Sequence, residues 1–333
     1  METIRGAGLI SIIGVHRSGT SALAGALHKM GADLGPESSW LQPAADNPRG
    51  FFEYAPVVDL DRDVLAALGG TWSSPPPMPR GWVNDERLTE LRERAGDLSA
   101  EIPERMVVKD PRLSLVQPLW EDVGRVPAGV LCLRHPAAVA NSLRVRNQFA
   151  VDQGLFLWFR YNAAARLNCP DALMVEYESL LADPVPQLNR IADHIALEVA
   201  EKTVEAAART VYRSMAHHEG ADLPDTPIGV VCRRLYDLVR SGEALETDHA
   251  VWIWARLVTE LPWAGPDDRE IGRTRREVAE LRNEINRLTK ENQRWERRLQ
   301  RLETELRHAL RTIDIVTIAE TADLLRSQES DFR

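Results

Sequence analysis

Two short stretches carry side chains whose types and spacing suit oxyanions. Gly14 to Gly19 (Gly-Val-His-Arg-Ser-Gly) is a glycine-bounded loop between an apolar run, Leu9, Ile10, Ile12 and Ile13, and a helical pattern, Leu23, Ala26, Leu27 and Met30. A strand, loop and helix in that order bring loop amides and the positive end of a helix onto one point, where an anion can sit without a metal. Arg17, Ser18, Thr20 and Ser21 add donors around it. The Gly14-x-x-x-x-Gly19 spacing is that of a nucleotide-triphosphatase loop, but Thr20-Ser21 stand where that motif has Lys followed by Ser or Thr. Arg17, inside the loop, must supply the charge instead. In the second stretch, Arg134-His135-Pro136 closes an apolar run and Pro136 opens a helix. Ser142 lies two turns into it and Arg146 one turn further, so the two share a face. Arg134, Ser142 and Arg146 suit a second, separate phosphate; taken alone, the same residues also describe an exposed helix face.

Other groups have two readings each. Glu53 follows Phe51-Phe52; aromatic neighbours that exclude water would make it a better base, while the plain alternative is a carboxylate capping the next helix. Lys109-Asp110 end the apolar run from Met106, facing the glycine loop if the strands are parallel, or forming a surface ion pair. Tyr177 could stack on a base or be a buried structural tyrosine. Trp72 and Trp82 bracket a proline-rich segment that reads as a surface loop or as a lid over a sugar-like or aromatic acceptor. Asp59, Asp61 and Asp63 lack the Gly and Glu of a calcium loop and read as the solvated side of a helix. His217-His218-Glu219 lacks the spacing of a helical zinc site, so no metal is expected.

These residues need a scaffold. Apolar strands (Leu9–Ile13, Met106–Lys109, Ala128–Leu133 and the start of Ala172–Pro184, which runs into a short helix) alternate with amphipathic helices, which predicts an α/β fold, a P-loop-like three-layer sandwich with a mainly parallel sheet. Asp193–Arg209 and Val230–Leu261 read as helical. The expected divisions are 1–215 for the α/β domain, 216–264 for a helical extension, 265–316 for a coiled coil and 317–333 for a tail. Ile271, Val278, Ile285, Asn292, Leu299, Leu306 and Ile313 recur every seven residues, with Leu281, Leu288, Trp295 and Leu302 between them. Asn292 among β-branched residues favours a parallel homodimer, the alternative being an antiparallel pairing with another protein's helix. With 41 basic and 50 acidic residues, net −9, the chain is not expected to bind nucleic acid in bulk. Its three cysteines are scattered, no apolar span has membrane length and no leader pattern opens the sequence, so a cytoplasmic protein is expected.

Taken in order, GVHRSGTSAL, NPRGFFE, VVKDPRLSL, LRHPAAVANSLRVRN and VEYESLLADP resemble the sulfotransferases that use 3′-phosphoadenosine 5′-phosphosulfate (PAPS), most closely the bacterial branch with a His-Arg-Ser-Gly-Thr-Ser loop. The resemblance spans about residues 8 to 195. It implies that Arg17, Ser18, Gly19, Thr20 and Ser21 hold the 5′-phosphosulfate and that Arg134 and Ser142 clamp the 3′-phosphate with Arg146 as a further cation; Tyr177, read from its strand end alone, is the remaining candidate for the nucleotide site. It implies that Lys109 contacts the moving sulfuryl group. Cytosolic relatives have a His where Pro111 stands, so the base is expected to be a carboxylate, Glu53 first and Asp110 second, ahead of His135 and His16. The implied acceptor is a hydroxyl, with a carbohydrate or glycoconjugate favoured over a protein tyrosine. An ATP-dependent P-loop kinase and a non-catalytic coiled-coil adaptor are the rival readings.

Overall fold

A computed structural model of the protein describes residues 9–43, 47, 50–125, 128–211 and 222–260, and the six further positions 287, 294, 298, 301, 302 and 305. Two compact units divide the chain, Met1–Trp263 and Ala264–Arg333. In the second, the six described positions are helical; the rest of the heptad pattern, and His217-His218-Glu219, lie outside the described residues.

The first unit follows the order β1 (Ile10–Ile13), α1 (Thr20–Lys29), α2 (Ala55–Ala67), α3 (Thr89–Glu101), β2 (Val107–Lys109), α4 (Leu113–Asp122), β3 (Ala128–Leu133), α5 (Pro136–Asn147), α6 (Val151–Asn168), β4 (Leu173–Glu176), α7 (Tyr177–Ala182), α8 (Pro184–His194), α9 (Glu201–Ala208), α10 (Pro227–Ser241) and α11 (His249–Glu260). All four strands expected from the apolar runs form one parallel sheet in the order β2-β1-β3-β4. Because β1 is followed on one side by β2 and on the other by β3, the crevice for a ligand opens at the carboxyl end of β1, where the glycine loop leaves the sheet.

The sheet is covered on both faces, as its short apolar strands require. Period-two alternation sends Ile10, Ile12, Val130, Cys132 and Val175 into one core with α1, α7, α8 and α9. Ile13, Val108, Leu131 and Leu133 enter the opposite core with α2 to α6, α10 and α11.

Three expectations need correction. Asp193–Arg209 is not one helix: α8 ends at His194, and Ala196 (φ 46°) turns the chain before α9. Val230–Leu261 is likewise broken, because Gly242 at φ 75° caps α10 in the left-handed conformation. Asp61 is not solvated but 0% exposed, among Val57, Val58, Leu60, Val64 and Leu65 on the inner face of α2.

Candidate active site

The glycine loop is held from three sides. Ser114, in the first turn of α4, accepts from the Gly14 amide (2.9 Å) and donates to its carbonyl (3.2 Å), closing the loop's first turn. The Cys132 thiol on β3 donates to the Ser18 carbonyl (3.1 Å), and burial pushes that thiol up to about 12, so it stays protonated and able to donate. Gly19 lies against the ring of Tyr177: a Cβ there would stand 2.1 Å from Tyr177 Cδ2, so only glycine fits. α1 starts directly after, with no acidic residue in its first turn to offset its positive end. Thr20 is buried, Asn47 Nδ2 donates to Ser21 Oγ (3.4 Å), and the buried Ser18 Oγ has no partner, an orphaned hydroxyl of the kind an anion's oxygen would satisfy.

Arg17 takes φ 73°, a strained conformation for a residue with a side chain, and Arg17 Nε donates to Ser142 Oγ on α5 (2.9 Å). Arg134, just past β3, donates from Nη1 to the Arg17 carbonyl (3.0 Å), and its guanidinium lies 4.8 Å over the Tyr177 ring. Trp158 on α6 fixes the Arg134 backbone by donating from Nε1 to its carbonyl (2.8 Å). The loop group and the Arg134–Ser142 group, 117 and 125 residues apart in sequence from Arg17, thus form one contiguous site. Arg146 is exposed on the last turn of α5, with its charge acting on His16. Tyr177 is buried under Arg134 and beside Gly19, a supporting position for both.

Beside this site sits a second cluster. Glu53 (5% exposed) and Lys109 (3% exposed) are joined by a buried ion pair from Lys109 Nζ to Glu53 Oε1. Burial raises the Glu53 carboxyl above its ordinary value, and the Lys109 ammonium holds that rise in check. Glu53 therefore does not cap α2. It is preceded by Phe52 at φ 54°, whose ring packs over Gly25 and beside Trp40. Asp110 accepts from Arg112 through both its backbone amide (2.9 Å) and its guanidinium (2.8 Å). Asp61 accepts from Trp120 Nε1 (3.0 Å), and it is in hydrogen-bonding contact with Asp110. Both carboxyls are fully buried and each keeps an Oδ2 without another donor. Burial, and then the neighbouring Asp110, raise the Asp61 carboxyl well above its ordinary value, so Asp61 keeps its proton, while Asp110 is paired with Arg112.

His16 ties the clusters together. Burial, followed by the charges of Arg112, Lys109, Arg146 and Arg17, keeps its imidazole neutral, well below the usual histidine value. Its ring packs on Trp72 (4.4 Å) and Tyr161 (5.7 Å), and its Nε2 has no hydrogen-bond partner. Four cations around one neutral ring mark a place prepared for negative charge. Ser114 and Trp158 are supporting residues that no motif in the sequence marks, and Asp61, expected on a solvated face, lies on the buried side of α2. His135 points elsewhere, against Tyr236 (5.2 Å), its amide donating to Glu178. Of the proposed lid, Trp72 lies on His16 while Trp82 is buried in the core.

No family model matches the chain, and no curated protein matches it. Among solved structures it is similar to the sulfotransferase domain of the Synechococcus PCC 7002 olefin synthase, with TM-score 0.42 and 15% identity over 72% of this chain and 98% of that one. It is also similar to sulfotransferase STF9 from Mycobacterium avium, with TM-score 0.41 and 13% identity over 75% and 76%. A third similar structure is retinol dehydratase in complex with androsterone and inactive cofactor PAP, with TM-score 0.32 and 16% identity over 78% and 83%.

Proposed function

We propose that this protein transfers a sulfuryl group from PAPS to an acceptor hydroxyl. The observation that carries the reading is the contact of Arg17 with Ser142 and of Arg134 with the Arg17 carbonyl, which sets two anion-binding groups side by side, as one doubly phosphorylated adenosine requires. The loop amides, Arg17, Ser18, Thr20 and Ser21 would hold the 5′ end, and Arg134 with Ser142 the 3′-phosphate, with Arg146 at the rim. Gly19 lets the loop lie on Tyr177, which in turn carries Arg134.

Glu53 takes the proton of the acceptor hydroxyl as its oxygen attacks sulfur, and the bond from sulfur to the bridging oxygen breaks to release 3′,5′-phosphoadenosine. Burial makes Glu53 the stronger base of the candidate pair, whereas Asp110 is committed to Arg112. Lys109 changes partners: paired with Glu53 at rest, it turns to the sulfuryl oxygens as charge builds on them, freeing Glu53 to accept the proton. Backbone amides and Arg17 stabilise the leaving oxygen.

The acceptor we favour is a sugar hydroxyl on a glycan or glycoconjugate, and the assembly a cytoplasmic homodimer joined by a parallel coiled coil through Asn292. The deciding experiment titrates the full-length protein with 3′,5′-phosphoadenosine and separately with ATP and magnesium. Binding of the first alone supports the reading. Binding of ATP with magnesium points to a kinase, and binding of neither to a non-catalytic adaptor.

A further inference from the structure

The proline-rich segment after Trp72 leads into a second feature. Met78 to Val83, α4, α6 and α11 enclose a cavity of about 310 Å³, a size suited to a small organic ligand. None of the residues around it belongs to the site described above. Its apolar wall comes from Met78, Trp82, Leu115 and Leu167. Its charged groups are three arginines, Arg80, Arg160 and Arg256, and no carboxylate lines it among the described residues. In a chain of net charge −9, that is a local reversal of sign.

Arg160 is the unusual member. Its side chain is 1% exposed; Nη2 donates to the Pro76 carbonyl (3.0 Å), and Nη1 has no hydrogen-bond partner. Burial pulls its guanidinium down to about 10, offset only by Tyr161. A buried cation with an unmet donor beside an apolar cavity is a costly arrangement for a protein to keep without a use.

We propose that this cavity binds a small apolar acid, its carboxylate taken by Arg160 with Arg80 at the mouth and its hydrocarbon body against Trp82, Leu115 and Leu167. Both halves of the ligand are specified: an uncharged molecule leaves Arg160 unmet, and a hydrophilic acid leaves the apolar wall wet.

Calorimetric titration of the full-length protein with 2-naphthoate, and with 2-naphthol as its uncharged counterpart, tests this. The expected result is one naphthoate per chain, bound at least about tenfold more tightly than naphthol, the worth of one charge-assisted hydrogen bond. Arg160→Met should erase that preference. Since a buried substitution can unfold the protein, Arg80→Glu, at an exposed position, provides a second readout and should weaken naphthoate by about tenfold while leaving naphthol unchanged. Naphthoate should remain bound in saturating 3′,5′-phosphoadenosine. Absence of binding, equal affinity for the two probes, no change in Arg80→Glu, or displacement by the nucleotide would each overturn the proposal.

Discussion

Lys109 donates from Nζ to Glu53 Oε1, and both side chains are sealed from solvent although 56 residues separate them in the chain. Removing either partner alone leaves a buried charge unpaired, at a cost of about 3 to 5 kcal/mol. Glu53→Gln and Lys109→Met should therefore each lower the denaturant midpoint, and the double variant should recover much of the loss. Activity should not recover with it. We expect turnover to fall by about 10² to 10⁴ for Glu53→Gln and by about 10² to 10³ for Lys109→Met. A double variant with restored turnover would show that the pair is structural only.

Arg134 should determine how the 3′-phosphate is told from a hydroxyl. Arg134→Ala and Ser142→Ala should each weaken 3′,5′-phosphoadenosine by about tenfold to a hundredfold, the range of a charged hydrogen bond. Adenosine 5′-phosphate, which lacks the 3′ group, should be weakened less. Equal losses for both nucleotides, measured by calorimetry, would remove the clamp assignment.

His16 gives a pH signature. Its folded value is depressed, so its neutral form favours folding above the unfolded value near 6.5, and that contribution is lost as pH falls below it, by about 1.4 kcal/mol per pH unit. His16→Gln should flatten the fall of Tm between about pH 6.5 and pH 5. Anion binding should screen the four cations around the ring, so 3′,5′-phosphoadenosine should move the His16 titration upward by NMR.

Asp61 has the opposite sign. Its folded value is raised, so its contribution to stability is complete below the unfolded value near 3.9 and is lost as pH climbs toward the folded value. Asp61→Asn copies the protonated acid, its amide donating to Asp110. The variant should gain Tm relative to the parent as pH rises from about 4 toward neutrality, whereas Asp61→Ala should lose stability throughout. An Asp61→Asn protein as weak as Asp61→Ala would mean that Asp61 is ionised.

Much of this was legible in the sequence because it is local. Four apolar runs bounded by glycine, proline and charge became four strands, and the step from Arg134 to Ser142 lies within one strand end and one helix. Asp61 was misread although its spacing carried the signal: four residues after Val57 and three before Val64, it falls on the apolar face, while Asp59 and Asp63 do not. The pairing of Glu53 with Lys109 and the support of Arg134 by Trp158 were not legible, since they depend on which loops a parallel sheet brings to its carboxyl edge. The break in Val230–Leu261 was marked by Gly242, a residue that favours the left-handed turn found there.

The guanidinium groups of Arg17 and Arg134 already rest on oxygens that the chain itself provides, the Ser142 hydroxyl and the Arg17 carbonyl. On the proposed function those oxygens are place-holders, and filling the pocket would be an exchange of acceptors between side chains already in position, with little rotamer freedom left to lose. In the proposed reaction the same place-holders would take the cations back when the nucleotide departs, so the pocket would keep its shape between one turnover and the next.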